Sequence, residues 1–170
     1  MNGGTTQLII RALQLNEVDL CRMLRLRALA DAPEAFGVKY ADAVHHDSAY
    51  WTKFIQSLTP PSKQRMFLAC SGEVCSGSVF AMLDREHDDV GRVGGMWVDS
   101  KSRRQGIGLA LLDAVFEWAK ENEFGELRLW CEDGDRAAHQ LYLKVGFVDS
   151  DKRDTTREKI DKDLVEMILT

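Results

Sequence analysis

The chain has 170 residues and a mass of 19.2 kDa, enough for one domain with a substantial core and short for two. Its 45% hydrophobic and 29% charged residues are typical of a globular protein and exclude a disordered or fibrous one. The formal net charge of -5 disfavours nucleic acid or an anionic membrane as the main partner, although a local basic site remains open.

The N-terminus has no cationic stretch followed by an apolar run, and no apolar segment approaches the roughly 18 residues of a membrane span. We therefore expect a single cytoplasmic domain over residues 1–170, with no membrane partner. Neither the histidines nor the cysteines have metal-ligand spacing, so we expect no metal site. The cysteines are predicted to be buried free thiols: Cys21, Cys70, Cys75 and Cys131.

The chain opens with a predicted strand and a predicted helix. Gln7–Leu13 reads as the strand, and Asn16 is placed to cap a helix that continues to about Ala30. Three arginines lie off the apolar face of this helix and are interpreted as solvated charges: Arg22, Arg25 and Arg27.

A long irregular stretch, Asp31–Asp47, follows the first helix. Loops of this length in compact domains are often functional. Asp47 or Ser48 then caps a second helix, which Pro60 ends. Trp51 within this helix is interpreted as a core residue.

A strand meander follows the second helix. Met66–Cys70 and Val74–Leu83 are rich in apolar and small residues and are separated by a short turn, which predicts a hairpin. After a polar turn, Val90–Val98 predicts a further strand. Gly94 and Gly95 interrupt this strand, which indicates a bulge or the close approach of another group to the backbone.

The second half alternates helices and strands. Gly106–Asn122 carries apolar residues at helical spacing, and Glu126–Glu132 alternates as a half-buried strand does. Asp135 is placed to cap the next helix. The remaining predicted elements are that helix, Arg136–Val145, and two final strands, Phe147–Asp151 and Leu164–Leu169.

A basic, glycine-containing turn joins the Val90–Val98 strand to the long helix. The first turn of a helix presents unpaired N–H groups, and the helix dipole favours an anion there. Gly106 and Gly108 would let diphosphate oxygens approach the backbone, and Arg103 and Arg104 would add charged hydrogen bonds. The third glycine of a dinucleotide fingerprint and the lysine of a Walker loop are both absent, which disfavours those two sites.

This turn resembles a motif of a known family. Arg103–Gly108, Arg-Arg-Gln-Gly-Ile-Gly, is similar to the R/Q-x-x-G-x-G/A acetyl-CoA motif of the GNAT superfamily of N-acetyltransferases. Residues 135–147 resemble its second hallmark, N-x-x-A-x-x-L-Y-x-K-x-G-F. The resemblance covers roughly residues 8–170, although the first 60 residues match only in general character.

The resemblance implies an α/β (α+β) fold, with a mixed, mostly antiparallel sheet of six to seven strands flanked by about four helices. It implies acetyl-CoA as the acyl donor and a primary amine of a small molecule, protein or peptide as the acceptor. Dimers are common in the family, so a homodimer is also an expectation. The implied cofactor-binding residues are Met96, Trp97, Val98, Arg103, Arg104, Gln105, Gly106, Ile107, Gly108, Leu109, Asp135 and Ala138.

The resemblance also assigns parts of the reaction. The backbone of Met96–Val98 would hold the pantetheine arm, and a bulge at Gly94–Gly95 would part this strand from Glu126–Glu132. Tyr142 is the candidate general acid, because a phenol within hydrogen-bond reach of the sulfur can protonate a departing thiolate. The alternative is that Tyr142 is simply a buried aromatic residue on the inner face of its helix.

Two positions depart from the family pattern. Asp135 stands where relatives often have Asn, and the strand before the motif lacks the glutamate that many relatives use as general base. The amine proton would then leave through water, toward Glu132, or toward an acid of a substrate loop. These departures also keep open a noncatalytic acetyl-CoA-binding regulator. The segments expected to bind the acceptor include Arg27, Ala35–Gly37, Trp51 and the Lys152–Asp163 loop.

Overall fold

The computed structural model of the chain describes residues 7–132, 137–154 and 163–170. Within these ranges, seven strands form one sheet: β1 (Leu8–Ala12), β2 (Arg65–Ser71), β3 (Val74–Leu83), β4 (Val90–Val98), β5 (Glu126–Glu132), β6 (Val148–Asp154) and β7 (Leu164–Leu169). The same ranges contain five α-helices: α1 (Val18–Asp31), α2 (Tyr40–Ala43), α3 (Ser48–Ser57), α4 (Ile107–Glu121) and α5 (Ala137–Lys144).

The strand order is β1-β2-β3-β4-β5-β7-β6. The β4–β5 pair is parallel and all the other neighbouring pairs are antiparallel. This mixed, mostly antiparallel sheet confirms the predicted fold class. The sheet carries one more α-helix than the four expected, because the irregular stretch before Asp47 contains α2.

Both faces of the sheet are buried. Strand β3 shows this directly, since Val79 and Ala81 pack into the core beneath α4 whereas Phe80 packs into the core beneath α1 and α3. Helix α4 contributes Leu111 and Val115, both fully buried, from its apolar stripe. The sheet is therefore a middle layer, and its strands are fixed from both sides.

The predicted caps had different outcomes. The Asp47 side chain accepts a hydrogen bond from the Tyr50 backbone N–H at 2.8 Å, which confirms the cap of α3. Asn16 does not cap α1, because the helix begins at Val18 and Glu17 occupies the N-cap position. The Glu17 carboxylate instead forms an ion pair with Arg11 at 2.6 Å, which ties the helix start to β1.

The prediction of four free thiols was wrong for two of them. Cys70 and Cys75 form a disulfide, because they lie directly opposite each other in the β2–β3 hairpin. Cys21 and Cys131 are buried thiols outside this disulfide, as predicted. Hairpin pairing, not CxxC spacing, brings the first two sulfurs together.

Two further searches concern only the three described ranges. None of the helices there has both the length and the apolar character needed to cross a bilayer. The described side chains of His, Cys, Asp and Glu also form no group of three or more that could hold a metal ion.

Candidate functional site

The site begins where two neighbouring strands part. Strands β4 and β5 pair only over Val90–Arg92 and Glu126–Arg128, near the start of each strand. Beyond this point a cleft of about 150 Å³ opens between them. Its walls are Val93, Gly94, Gly95 and Met96 of β4, Trp130, Cys131 and Glu132 of β5, Ala138 and Tyr142 of α5, Leu164 of β7, and Glu34, Ala35 and Phe36 of the first loop.

A β-bulge lies in β4 at the mouth of this split. The β3–β4 register passes from Phe80 opposite Gly94 to Ser78 opposite Trp97, so Val79 alone faces two residues of β4. These two residues are Gly95 and Met96, so the bulge predicted at Gly94–Gly95 lies one residue later, and Gly94 is regularly paired with Phe80. A bulge bends its strand and disrupts the ladder locally.

Gly95 is the residue that permits the bulge. Its φ is +57°, and an added Cβ would lie 2.2 Å from Cδ2 of Phe80. Only a residue without a side chain fits at that distance, because the Phe80 ring is fixed in the core beneath α1 and α3. The geometry of the split therefore depends on this one glycine.

Helix α1 anchors the loop that follows β4. Arg103 forms an ion pair with Asp31 at 2.6 Å and donates a hydrogen bond to the Val98 carbonyl at 3.0 Å. Asp31 also accepts a hydrogen bond from the Trp97 indole N–H at 3.0 Å. The Arg103 guanidinium is thus engaged within the protein, and sequence reasoning missed Asp31, since no local pattern connects residues 72 positions apart.

The interpretation of the three α1 arginines as solvated charges was wrong for two of them. Arg27 forms an ion pair with Asp99 at 2.6 Å and lies over the Trp97 ring. Arg25 is half-buried against two phenylalanine rings. Arg22 is exposed, as expected. The cause is tertiary packing, because α1 lies along β4 and presents these two side chains to it.

The turn before α4 has the form of an anion site. Gly106 occupies the N-cap position with φ +82°, and open space surrounds the direction its Cβ would take. Arg104 also has a positive φ, 61°, and its exposed side chain has no ion-pair partner among the described residues. Non-glycine residues with such φ values are uncommon and cluster at ligand-binding loops. Exposed N–H groups, an unpaired guanidinium and open space together can receive a phosphate.

The neighbouring residues of the turn have more structural roles. A Cβ on Gly108 would lie 2.9 Å from Cδ2 of Leu141, so this glycine lets α4 approach α5 closely. Ile107 is buried in the same core, and Leu109 is half-buried. The Gln105 amide donates a hydrogen bond to the Lys101 carbonyl at 3.3 Å, which closes the turn.

Tyr142 is both a buried aromatic residue and a wall of the cleft. It is 6% exposed, and its ring contacts Phe147 edge-on at 5.8 Å between centroids. Burial raises the pKa of Tyr142, and the Cys131 thiol adds to this shift. The phenol therefore holds its proton at neutral pH. Ala138 lines the cleft one turn earlier in α5, and Asp135 lies outside the described residues.

Two carboxylates also line the cleft. Glu132 ends β5, and Glu34 comes from the short 3₁₀ helix Pro33–Ala35 that follows α1. From the sequence, the amine proton was expected to leave toward Glu132 or toward an unspecified acid of a substrate loop. Glu34 is an acid in such a loop. Of the other segments expected to contact the acceptor, Ala35 and Phe36 line the cleft, whereas Trp51 is buried in the core.

Comparisons with known proteins agree with this geometry. The profile of the Acetyltransferase (GNAT) family matches residues 26–147. N-alpha-acetyltransferase 30 of Xenopus laevis is 37% identical over 92 residues, which are 53% of this chain and 33% of that protein. The human N-alpha-acetyltransferase 30 has the same identity over 25% of its length. The chain therefore spans about a third or less of the length of these relatives.

Solved structures share the fold over nearly the whole chain. A GNAT-family acetyltransferase from Streptococcus pneumoniae superposes with a TM-score of 0.79 and 21% identity, covering 96% of this chain and 98% of that one. The yncA protein of Salmonella typhimurium, solved with its cofactor acetyl-CoA, has a TM-score of 0.72 and 16% identity, covering 96% and 93%. At these identities the likeness establishes the fold.

Proposed function

Because this chain belongs to the GNAT family of acetyltransferases, we propose that it is an acetyl-CoA-dependent N-acetyltransferase. Its acceptor is a primary amine of a small molecule, or of a protein or peptide. The observation that carries the proposal is the split between β4 and β5, which opens a cleft beside Tyr142 and is followed along the chain by an anion-binding turn. We further propose that all of these parts belong to a single domain over residues 1–170.

We assign acetyl-CoA binding to β4 and the turn after it. Acetyl-CoA supplies the acetyl thioester. The Arg104 guanidinium and the N–H groups of Gln105–Leu109 bind its diphosphate, since they are the cationic and donor groups that the turn leaves available. The backbone of Met96–Val98 holds the pantetheine arm. Arg103 positions the loop through Asp31, and Asp135 and Ala138 complete the predicted set.

In the transfer, the amine nitrogen bonds to the acetyl carbon as the carbon–sulfur bond breaks. Tyr142 donates its phenolic proton to the departing thiolate, since the phenol is protonated at neutral pH. The amine proton leaves through water or toward a carboxylate of the cleft, either Glu132 or Glu34. A backbone N–H at the β4 bulge would stabilise the oxyanion by about 3 kcal/mol.

Calorimetry with acetyl-CoA tests the binding part of this proposal. We expect saturable one-to-one binding that ATP and NAD do not reproduce. Arg104→Ala should weaken it about tenfold, because one charged hydrogen bond is lost. Arg22→Ala is the matched control, since Arg22 is an exposed arginine on α1. Absence of binding at millimolar acetyl-CoA would refute the proposal.

Thiol release in the presence of amines tests catalysis. Release that depends on an amine distinguishes an enzyme from a noncatalytic acetyl-CoA-binding regulator. Tyr142→Phe should lower kcat about 100-fold or more while acetyl-CoA affinity is retained. Tyr40→Phe, which changes an exposed tyrosine of α2, is the control. An unchanged kcat in Tyr142→Phe would remove this residue from the mechanism.

Three further predictions complete the proposal. The match to N-alpha-acetyltransferase 30 supports including the α-amino groups of peptides among the acceptors to be screened. The cytoplasmic location stays a prediction, which cell fractionation can check. A homodimer likewise stays a prediction, and sedimentation of the purified chain would reveal it.

A further inference from the structure

The guanidinium of Arg25 lies beside the cleft and has no hydrogen-bonding partner among the described residues. Its central carbon is 5.0 Å from the centroid of the Phe36 ring and 5.3 Å from that of Phe80. The Nη1 atom is enclosed and forms no hydrogen bond with any described residue. The side chain as a whole is half-buried and is therefore not completely enclosed by the protein.

The aromatic surroundings of Arg25 leave the hydrogen-bonding capacity of its guanidinium unused. The face of an aromatic ring attracts a cation but accepts none of the in-plane hydrogen bonds that a guanidinium offers. Burial lowers the pKa of Arg25, and among the described residues the contributions that oppose it come from Tyr50 and Cys21 rather than from a carboxylate. The group nevertheless stays charged at neutral pH. A partly desolvated cation without a counter-ion provides a strong binding site for an anion.

The position of Arg25 relates this cation to the transfer site. Nη1 lies 3.5 Å from the point that a Cβ on Gly95 would occupy, and Gly95 belongs to the β4 bulge. Of the residues against which the guanidinium lies, Gly95 and Phe36 line the cleft, whereas Phe80 lies in the core behind it. The cation is therefore next to the site where the acetyl group is proposed to be transferred.

The same cleft carries the opposite charge on other walls. Glu34 and Glu132 line it, and both are carboxylates. An acceptor with an ammonium group and a carboxylate would match the negative charge of the two acids and the positive charge of Arg25 at once. A simple polyamine would leave the guanidinium unpaired and would place a second cation near it.

We propose that Arg25 binds a carboxylate of the acceptor, and that the acceptor is a small amine of the amino acid class. This inference rests on the proposed N-acetyltransferase function and specifies its substrate. The planar guanidinium matches a carboxylate in a paired, in-plane arrangement, which Lys would not reproduce. Arg25 acts in binding and takes no part in proton transfer.

The test compares each acceptor with an analogue in which the α-carboxylate is replaced by an amide. Glycine, L-alanine, L-leucine, L-phenylalanine and L-glutamate are assayed for thiol release beside their α-carboxamides. The wild type should favour at least one free acid over its amide by about tenfold or more in kcat/KM, expressed mainly in KM. Arg25→Gln should abolish this preference and Arg25→Lys should restore only part of it, whereas Arg22→Gln should retain it.

A second readout does not depend on turnover. The same acids and amides are titrated by calorimetry into protein saturated with CoA, and acid-selective binding that Arg25→Gln abolishes is expected. Acetyl-CoA binding and the thermal midpoint of Arg25→Gln identify a merely structural effect.

Equal use and equal binding of acids and amides, or a preference that survives Arg25→Gln, would overturn the inference. A preference for amines that carry no carboxylate, or for peptides without acidic side chains, over amino acids would also overturn the inference. The N-acetyltransferase function would still stand in that case. If none of the acceptors supports thiol release, the proposed N-acetyltransferase function itself is refuted.

Discussion

Replacing Gly95 by alanine perturbs the bulge with the smallest possible side chain. The new Cβ would lie 2.2 Å from Cδ2 and 2.5 Å from Cε2 of Phe80, far inside van der Waals contact. The ring cannot move freely, because it packs edge-on against Phe54 with 5.9 Å between centroids and belongs to the buried core beneath α1 and α3. The backbone φ of +57° adds strain for any residue with a Cβ.

The expected cost of Gly95→Ala is the sum of these two effects. The left-handed backbone costs about 1 kcal/mol for a non-glycine residue. Displacing the Phe80 ring in a packed core costs about 1–3 kcal/mol. We therefore expect the free energy of unfolding to fall by about 2–4 kcal/mol. Acetyl-CoA affinity should fall as well, since the bulge shapes the split that is proposed to receive the pantetheine arm.

Urea denaturation followed by tryptophan fluorescence measures this loss. Gly37→Ala is the matched control, because no heavy atom lies within 4 Å of its added Cβ and its φ is not positive. A double-mutant cycle with Phe80→Ala separates the two contributions: without the ring, Gly95→Ala should cost only about 1 kcal/mol. A loss below about 1 kcal/mol in the wild-type background would refute the steric argument.

Three other predictions follow from the structure. Gly106→Ala should destabilise the protein by about 1 kcal/mol and weaken acetyl-CoA binding in calorimetry, because its φ is +82° and its Cβ would enter the space proposed for phosphate; unchanged affinity would argue against the anion site. Desolvation raises the pKa of Asp84, but hydrogen bonds from the Glu86 N–H, His87 and Arg92 outweigh it and hold the pKa below its ordinary 3.8. Asp84→Asn should therefore be less stable than wild type at pH 7 in urea denaturation, and the difference should shrink as the pH falls below about 3.8; a constant difference would contradict this. Thiol titration of the denatured, unreduced protein should find two thiols, and four after reduction, because Cys70 and Cys75 are paired; four without reductant would contradict the disulfide.

Elements with a strong local pattern were predictable from the sequence. The stripe of apolar residues in α4 and the alternation in β5 predicted both elements almost to the residue, since each must bury one face. The paired glycines of β4 predicted its bulge for a related reason, because a backbone that needs positive φ demands glycine locally. The two family motifs added the cofactor class, which periodicity alone does not contain.

The rest depended on pairings between distant residues. The sequence does not show that Asp31 holds Arg103, because the ion pair exists only once α1 packs against the end of β4. The Cys70–Cys75 disulfide likewise depends on the register of a hairpin, which no cysteine spacing rule encodes. Arg25 was misread for the opposite reason: an arginine on a helix is usually solvated, and only packing against Phe36 and Phe80 makes it otherwise.

The contacts of α1 imply that the acceptor end and the cofactor end of the site share one support. Arg25 lies beside Gly95 at the bulge, Arg27 lies over Trp97 and pairs with Asp99, and Asp31 binds Trp97 and Arg103. The helix therefore follows β4 from the split to the phosphate turn. Because packed side chains do not deform continuously, a displacement of α1 would move both ends of the site together. This physical connection makes α1, which carries neither family motif, the element that positions both Arg25, which we propose binds the acceptor, and the turn that we propose binds acetyl-CoA.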